Sequence, residues 1–383
     1  MSRLVILTEI ISPYRIPAFN ALAKHEDIDL HVIFLAENDP TLRQWLVYKH
    51  EIGFSYEVLP SWRTRLGEYN VLLNRGLDAA LHRAAPEAIV CGGYNYLASW
   101  ECLRWAKRNE VPFLLWIEST SHDMRGRQAV VERLKSKFMR ECDGFVVPGK
   151  SSSEYVCRFG VSENRIFVAP NAVDTELFAR EAEIAREQAT SVRLELAVPL
   201  RYFLFVGRLV REKGVFDLLT AYRSLAPQIR EQVGLVFVGD GPARLELSAQ
   251  AATIQPGVVQ LKGFVQRERL ASYYALAEAF VFPTCSDPWG LVVNEAMACG
   301  LPVVCSAVAG CAADLIEDNW NGRVVRTGDV EQITHAMEQL GTNAELRLLM
   351  GQRSRERIHT YSPEACARGF AEAVLSCGAL CHE

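Results

Sequence analysis

The chain has no pair of cysteines at C-x-x-C spacing and no cysteine–histidine cluster at zinc-ligand spacing, although it holds 11 cysteines. A structural zinc site is thereby excluded. The odd count, scattered through apolar segments at Cys91, Cys102, Cys157, Cys299 and Cys305, reads as reduced thiols in a core rather than a disulfide framework. The chain also lacks a GxxxxGKS/T loop and a GxGxxG run, so neither a P-loop nor a dinucleotide fingerprint is available. It lacks basic excess: 41 Lys and Arg stand against 46 Asp and Glu, a net charge of −5, which argues against nucleic-acid binding as its task. Long apolar spans are missing too. The one long uncharged stretch, 296–313, is broken by Gly300, Pro302 and Gly310, and the apolar run that opens the chain is cut by Glu9, so it reads as a first strand and not a leader.

At 383 residues and 49% hydrophobic content the chain exceeds one ordinary core, and two α/β domains are the expectation. Apolar runs at 3–7, 30–36, 56–59, 87–93, 112–118, 144–149 and 165–171 read as strands. Between them IPAFNALAKH, VLLNRGLDAALHRAA, YLASWECLRWAKRNE and AVVERLKSKFMREC read as helices. Such alternation builds βαβ units on a parallel sheet covered on both faces. A charged, helix-prone stretch at about 175–200 carries no core strand and reads as a linker. The alternation restarts at 201–208, 234–240, 258–265, 279–284, 302–306 and 322–325, a second doubly wound domain. The expected division is 1–175, 176–361 and a terminal helix over 362–383, with ligand held in the crevice outside the carboxyl ends of the strands.

The stretch CSDPWGLVVNEAMACGLPVVCS, 285–306, sets a carboxylate inside an oily helix. Asp287 and Pro288 read as N-cap and first helical residue, and Gly300 as the stop. Glu295 shares its face with Leu291, Val292, Ala298 and Cys299, where an ionised carboxylate is costly unless something polar holds it. It either sits at the helix rim or accepts hydrogen bonds from a ligand's hydroxyls, while the amides near Trp289 and Gly290 face an anion. In FVGRLVREKG, 205–214, Gly207 ends a strand and Arg208 and Lys213 follow on the loop, two cations suited to a pyrophosphate; a solvated loop is the alternative. Gly239 and Gly241 in VGDGPAR read as a turn. Asp27 and Asp29 lie at the wrong end of the sheet for a metal, and no metal site is expected.

GRLVREKG, VGDGP, LKGFV, DPWGLVVNEAMACGLPVV and NGRVV, in this order and spacing, resemble the donor half of family 4 retaining glycosyltransferases of the GT-B fold. APNAVDTELF, 169–178, is similar to that family's interdomain segment. The resemblance implies two Rossmann-like domains facing each other across a cleft, and a C-terminal helix crossing back to the first. It implies a nucleotide-sugar donor on the second domain, with UDP expected over GDP, and a saccharide or lipid-linked acceptor on the first. Arg208 and Lys213 would hold the diphosphate, Glu295 the ribose hydroxyls, and the backbone at Gly263 and Phe264 the base. Asp287 would take the place of the family's usual glutamate toward the donor sugar, or only cap the helix. Retention would follow a front-side displacement in which the leaving phosphate helps take the acceptor's proton, with no cofactor and no metal.

The chain departs from the family where a glycine pair is common: Ser12, Pro13, Tyr14 and Arg15 stand there, and Arg15 would meet phosphate or acceptor, or be solvated. Gly92 and Gly93 allow close backbone approach or a tight turn. Glu118, His122 and Asp123 follow the fifth strand, where Glu118 and His122 are candidates to approach the reacting sugar. From Arg125 to Arg140, six basic residues including Lys135 read as an amphipathic helix able to touch an anionic membrane surface, or as a solvated face. A cytoplasmic enzyme, peripheral on the inner membrane face, is the expectation. The alternatives are an epimerase or phosphorylase of the same architecture and a non-catalytic nucleotide-sugar binder.

Overall fold

The structure, a computed structural model, describes residues 1–39, 45–66, 69–121 and 129–380. The chain divides into two units, Met1–Val173 with Ser362–Glu383, and Asp174–Tyr361. The first contains strands β1 (Ser2–Ile10), β2 (Ile28–Ala36), β3 (Ser55–Val58), β4 (Ser61–Leu66), β5 (Tyr69–Asn74), β6 (Ala88–Gly92), β7 (Phe113–Trp116), β8 (Gly144–Val147) and β9 (Ile166–Val168). Seven of them form a parallel sheet in the order β3-β2-β1-β6-β7-β8-β9. Leu4, Val5, Ile6 and Leu7 are all buried, which is why this strand is apolar throughout rather than alternating. Strand order reverses between β1 and β6, so the loops leaving those two strands diverge and open a crevice.

β4 and β5 pair antiparallel as a hairpin, with Trp62 opposite Leu73. The helix expected over VLLNRGLDAALHRAA therefore does not exist as one piece. Gly76, at φ +82°, ends the hairpin's exit, and a helix runs only over Leu77–Ala84. The physical reason is a period of two: Leu72 is buried while its neighbour Leu73 and the facing Trp62 are exposed.

The helix Pro363–Leu380 closes the core of the first unit, not the second. Phe370 meets Trp116 edge-on with ring centroids 5.0 Å apart and Phe19 at 6.5 Å. Gly369 lets the helix lie on β9, because a Cβ there would stand 2.2 Å from the Val168 carbonyl oxygen. Phe370→Ala should cost about 3–5 kcal/mol of stability, read as an earlier thermal transition of the first unit.

The second unit contains β10 (Tyr202–Val206), β11 (Gly234–Val238), β12 (Val259–Leu261), β13 (Ala279–Phe282), β14 (Val303–Ser306) and β15 (Gly322–Val325). They form one parallel sheet in the order β12-β11-β10-β13-β14-β15, with its reversal between β10 and β13. The stretch expected to be a linker is instead two helices of this unit, Thr175–Glu187 and Ala189–Leu196. Asp174 caps the first by accepting from the Leu177 amide at 2.9 Å, and Phe178, Ala182 and Ala185 recur at helical spacing on its buried face.

One charge of the expected basic face also turns inward. In the helix Ala129–Glu141, Lys135 is 7% exposed, its ammonium 4.7 Å from the Tyr155 ring centroid and 5.3 Å from that of Phe159. Cation–π attraction and the Glu132 carboxylate at 3.4 Å hold it there, leaving Arg133, Lys137 and Arg140 exposed. Arg125 and Arg127 lie outside the described residues. Among the described residues no helix is long and apolar enough to cross a membrane.

Candidate functional site at the strand ends of the second unit

Five loops leave the carboxyl ends of β12, β11, β10, β13 and β14, and backbone hydrogen bonds stitch them together. The Gly207 amide donates to Val238, Leu209 to Asp240, and Gly239 to Gly263. Gly239, at φ +136°, is required twice over, since a Cβ there would lie 1.9 Å from the Gly207 carbonyl oxygen. Across the reversal, the Cys285 amide donates to Glu212 at 2.8 Å, and the Gly310 amide to Asp287 at 3.0 Å. The loop after β10 is thereby pinned against the loop after β13.

This pinning brings Lys213 to Asp287. The ammonium is 2.6 Å from Asp287 Oδ2 and donates to the Ser286 carbonyl at 2.9 Å, with the two side chains 13% and 19% exposed. Asp287 Oδ1 accepts from the Trp289 amide at 3.1 Å, so both carboxylate oxygens are engaged. The helix begins later than expected. It runs Leu291–Ala298 with Gly290 at the cap position in the left-handed region, φ +98°, so Asp287 ties down the preceding loop instead of capping the helix. The Trp289 amide, expected to face an anion, is taken by Asp287, and its indole donates to Asn294 inside the unit. Gly300, at φ +76°, follows the helix as the stop it was read to be. Burial pushes the nearby Cys285 thiol up from its ordinary value, which leaves it a poor nucleophile.

Arg208 is exposed on the same loop, and among the described residues no ion pair is formed by it. Arg211 turns away, pairing with Glu246 at 2.6 Å and covering Phe216. Glu295 is fully buried, and the Tyr274 hydroxyl donates to its Oε2 at 2.7 Å. It is neither a rim residue nor open to solvent. Gly263 adopts φ +75° and Phe264 beside it is exposed.

Two family models match the chain: glycosyl transferases group 1 over residues 188–357, and glycosyltransferase family 4 over 19–177. The chain belongs to glycosyltransferase family 4. Sulfoquinovosyl transferase SQD2 of Arabidopsis thaliana is 31% identical over 227 residues, 58% of this chain and 42% of that protein. A D-inositol 3-phosphate glycosyltransferase of Kribbella flavida is 30% identical over 230 residues, 57% of this chain and 53% of that one. The chain thus spans about half the length of these curated relatives. Among solved structures, Anabaena HepE in complex with UDP aligns with a TM-score of 0.76 at 19% identity, over 98% of this chain and 100% of that chain, a likeness of GT-B fold.

In this family 4 chain the first unit carries a second group of polar side chains at its own strand ends. The Arg15 guanidinium lies 3.8 Å over the Trp116 ring and is 3.1 Å from Glu118 Oε1, each side chain 30% exposed. Sequence placed both residues at the right end of the sheet but not against each other. Gly93, at φ +102°, makes a tight turn, its amide donating to Cys91, and a Cβ there would meet nothing within 4 Å. Conformation rather than close packing requires glycine. His122 and Asp123 lie outside the described residues. Arg63 of the unforeseen hairpin bridges Glu9 at 3.7 Å and Asp39 at 2.8 Å, fastening the hairpin over the ends of β1 and β2.

Sequence reasoning missed Tyr274, whose signal was a polar hydroxyl within the apolar face of RLASYYALAE.

Proposed function

We propose that the chain is a retaining, metal-independent glycosyltransferase that moves a sugar from a UDP-linked donor to a saccharide or lipid-linked acceptor. The observation that carries this reading is Lys213, a cation held half-buried by loop geometry where the second sheet's strand order reverses. A diphosphate arriving there would displace the Asp287 carboxylate from Lys213, and Arg208 on the same loop would share its remaining charge. As the sugar–phosphate bond breaks, negative charge grows on the leaving phosphate, and cations fixed beforehand stabilise it without reorganising. That phosphate oxygen then accepts the acceptor hydroxyl's proton, so no protein nucleophile is assigned. Asp287, freed from Lys213, would turn toward the sugar. Phe264 and the backbone of Gly263 would take the base, and the UDP held by HepE supports UDP as the donor's nucleotide.

The acceptor would bind on the first unit, where Arg15, Glu118 and the Gly93 turn lie at strand ends. The exposed Arg133, Lys137 and Arg140 favour peripheral contact with an anionic membrane at the cytoplasmic face.

Incubation with UDP-, GDP- and ADP-sugars and simple saccharide acceptors should release UDP, with the donor's anomeric configuration kept in the product by NMR and with activity undiminished by EDTA. Inversion of that configuration, or loss of turnover on chelation, would refute the corresponding part of the reading. No release from any donor, with binding intact, would favour the non-catalytic binder.

A further inference from the structure

Arg15 ends the loop after β1, and its place is fixed from both sides. Its amide donates to the Ser12 carbonyl at 3.0 Å, and the helix Ile16–Ala23 that it opens is anchored by the buried Ile16, Phe19 and Leu22. From there the guanidinium reaches past the end of β6 to lie 3.8 Å over the ring of Trp116, the last residue of β7. That ring cannot move aside: it is 5% exposed, with Phe370 edge-on at 5.0 Å and Phe19 at 6.1 Å. Stacking takes one face of the guanidinium and leaves its in-plane N–H groups for other partners.

Those groups are underused. A guanidinium carries five N–H donors, and among the described residues one side-chain acceptor meets it, Glu118 Oε1, through a single Nη2–H at 3.1 Å. With both side chains 30% exposed, such a one-point pair is worth little beside the two parallel bonds that the fork can make to an oxyanion. The Trp116 indole N–H is also buried with no acceptor among the described residues, so donors outnumber acceptors here. There is room as well. Gly92 pairs in register with Trp116, and beyond it a Cβ on Gly93 would meet nothing within 4 Å. All of this lies where the first sheet's strand order reverses, between β1 and β6, the place at which such sheets take their ligands.

We propose that Arg15 reads charge on the acceptor: the acceptor bears a phosphate or carboxylate that grips the guanidinium edge at two points and displaces Glu118, so that anionic saccharides are chosen over neutral ones. This rests on the reading of the first unit as the acceptor side, and it narrows that acceptor's chemistry. The donor's diphosphate already has Lys213 and Arg208 in the second unit.

The test is an NMR titration of the whole chain, with UDP saturating, by glucose 6-phosphate and by glucuronate against uncharged glucose. At least one anion should bind about 10- to 100-fold more tightly than glucose, the range expected for hydrogen bonds between charged groups. Preference for the phosphate or for the carboxylate tells which of the two the acceptor bears. Arg15→Gln should bring the ratio to within about twofold while UDP affinity stays as it was. Glu118→Gln removes the competing charge and should tighten the preferred anion about three- to tenfold with glucose unchanged, a readout that stands even should Arg15→Gln fail to fold. Equal binding of anions and glucose, a preference that survives Arg15→Gln, or no gain in Glu118→Gln would overturn the proposal. A tenfold loss of UDP affinity in Arg15→Gln would give the residue to the donor's diphosphate and is equally fatal. Absence of UDP binding by the unaltered protein sinks the donor-binding reading alone, because the ratio of anion to glucose is then read without nucleotide.

Discussion

Lys213→Ala should lower kcat/KM by roughly 10²- to 10³-fold, about 3–4 kcal/mol of transition-state stabilisation, while the chain still folds. The ammonium is placed by three loops at once: its own after β10, and through Ser286 and Asp287 the loop after β13, itself held by Gly310 after β14. A cation so fixed is worth more than the exposed Arg208, because little side-chain freedom remains to be lost on binding. Asp287 acts as its counter-ion before a donor arrives. Lys213→Arg should not restore activity: a planar guanidinium fork cannot reproduce the single ammonium point that meets both the Ser286 carbonyl and Asp287 Oδ2. Asp287→Asn is the informative companion. It keeps an acceptor for the Trp289 amide but removes the counter-charge, so UDP should bind more tightly while turnover falls. Steady-state kinetics and UDP calorimetry check both, and a Lys213→Ala enzyme with unaltered kcat/KM would remove the basis of the proposed reaction.

Gly239→Ala should be among the most damaging single-methyl additions in the second unit. The new Cβ would meet the Gly207 carbonyl oxygen at 1.9 Å, and φ +136° is strained for any L side chain. Backbone on one side and backbone on the other leave nothing soft to yield, so the loops after β10, β11 and β12 must part. A loss of about 3 kcal/mol or more is expected, a fall of roughly 6–12 °C in melting temperature, together with weakened UDP binding because Gly207 and Lys213 share the displaced loop. Gly328→Ala is the control. Gly328 also has positive φ, +72°, but a Cβ there meets nothing within 4 Å, so only the conformational strain of about 1 kcal/mol applies. Equal losses at the two positions would refute the packing argument.

What sequence could and could not disclose follows from the range of each interaction. The strands of both sheets lie where short apolar runs placed them, because a strand buried on both faces has a composition that nothing else in a soluble α/β chain needs. The hairpin did not announce itself, since VLLNRG satisfies helical spacing as well as alternation and only pairing with Ser61–Leu66 decides. Lys213, Asp287 and Glu295 could be singled out as oddities of type and place. Their partners could not: Lys213 meets Asp287 across 74 positions of chain, and Tyr274 reaches Glu295 from another helix. Lys135 shows the converse error, a charge counted on an outer face although a ring of aromatics from other elements draws it in.

The return of Pro363–Leu380 to the first unit inverts the usual order of maturation during synthesis. Domains generally complete in the order they leave the ribosome. Here the apolar seat of Phe370 beside Trp116 and Phe19 stays empty until Pro363–Leu380 has been made, whereas Asp174–Tyr361 has every residue it needs beforehand. A nascent chain therefore finishes Asp174–Tyr361 first, while the earlier unit, lacking one wall, keeps apolar surface uncovered until the helix arrives.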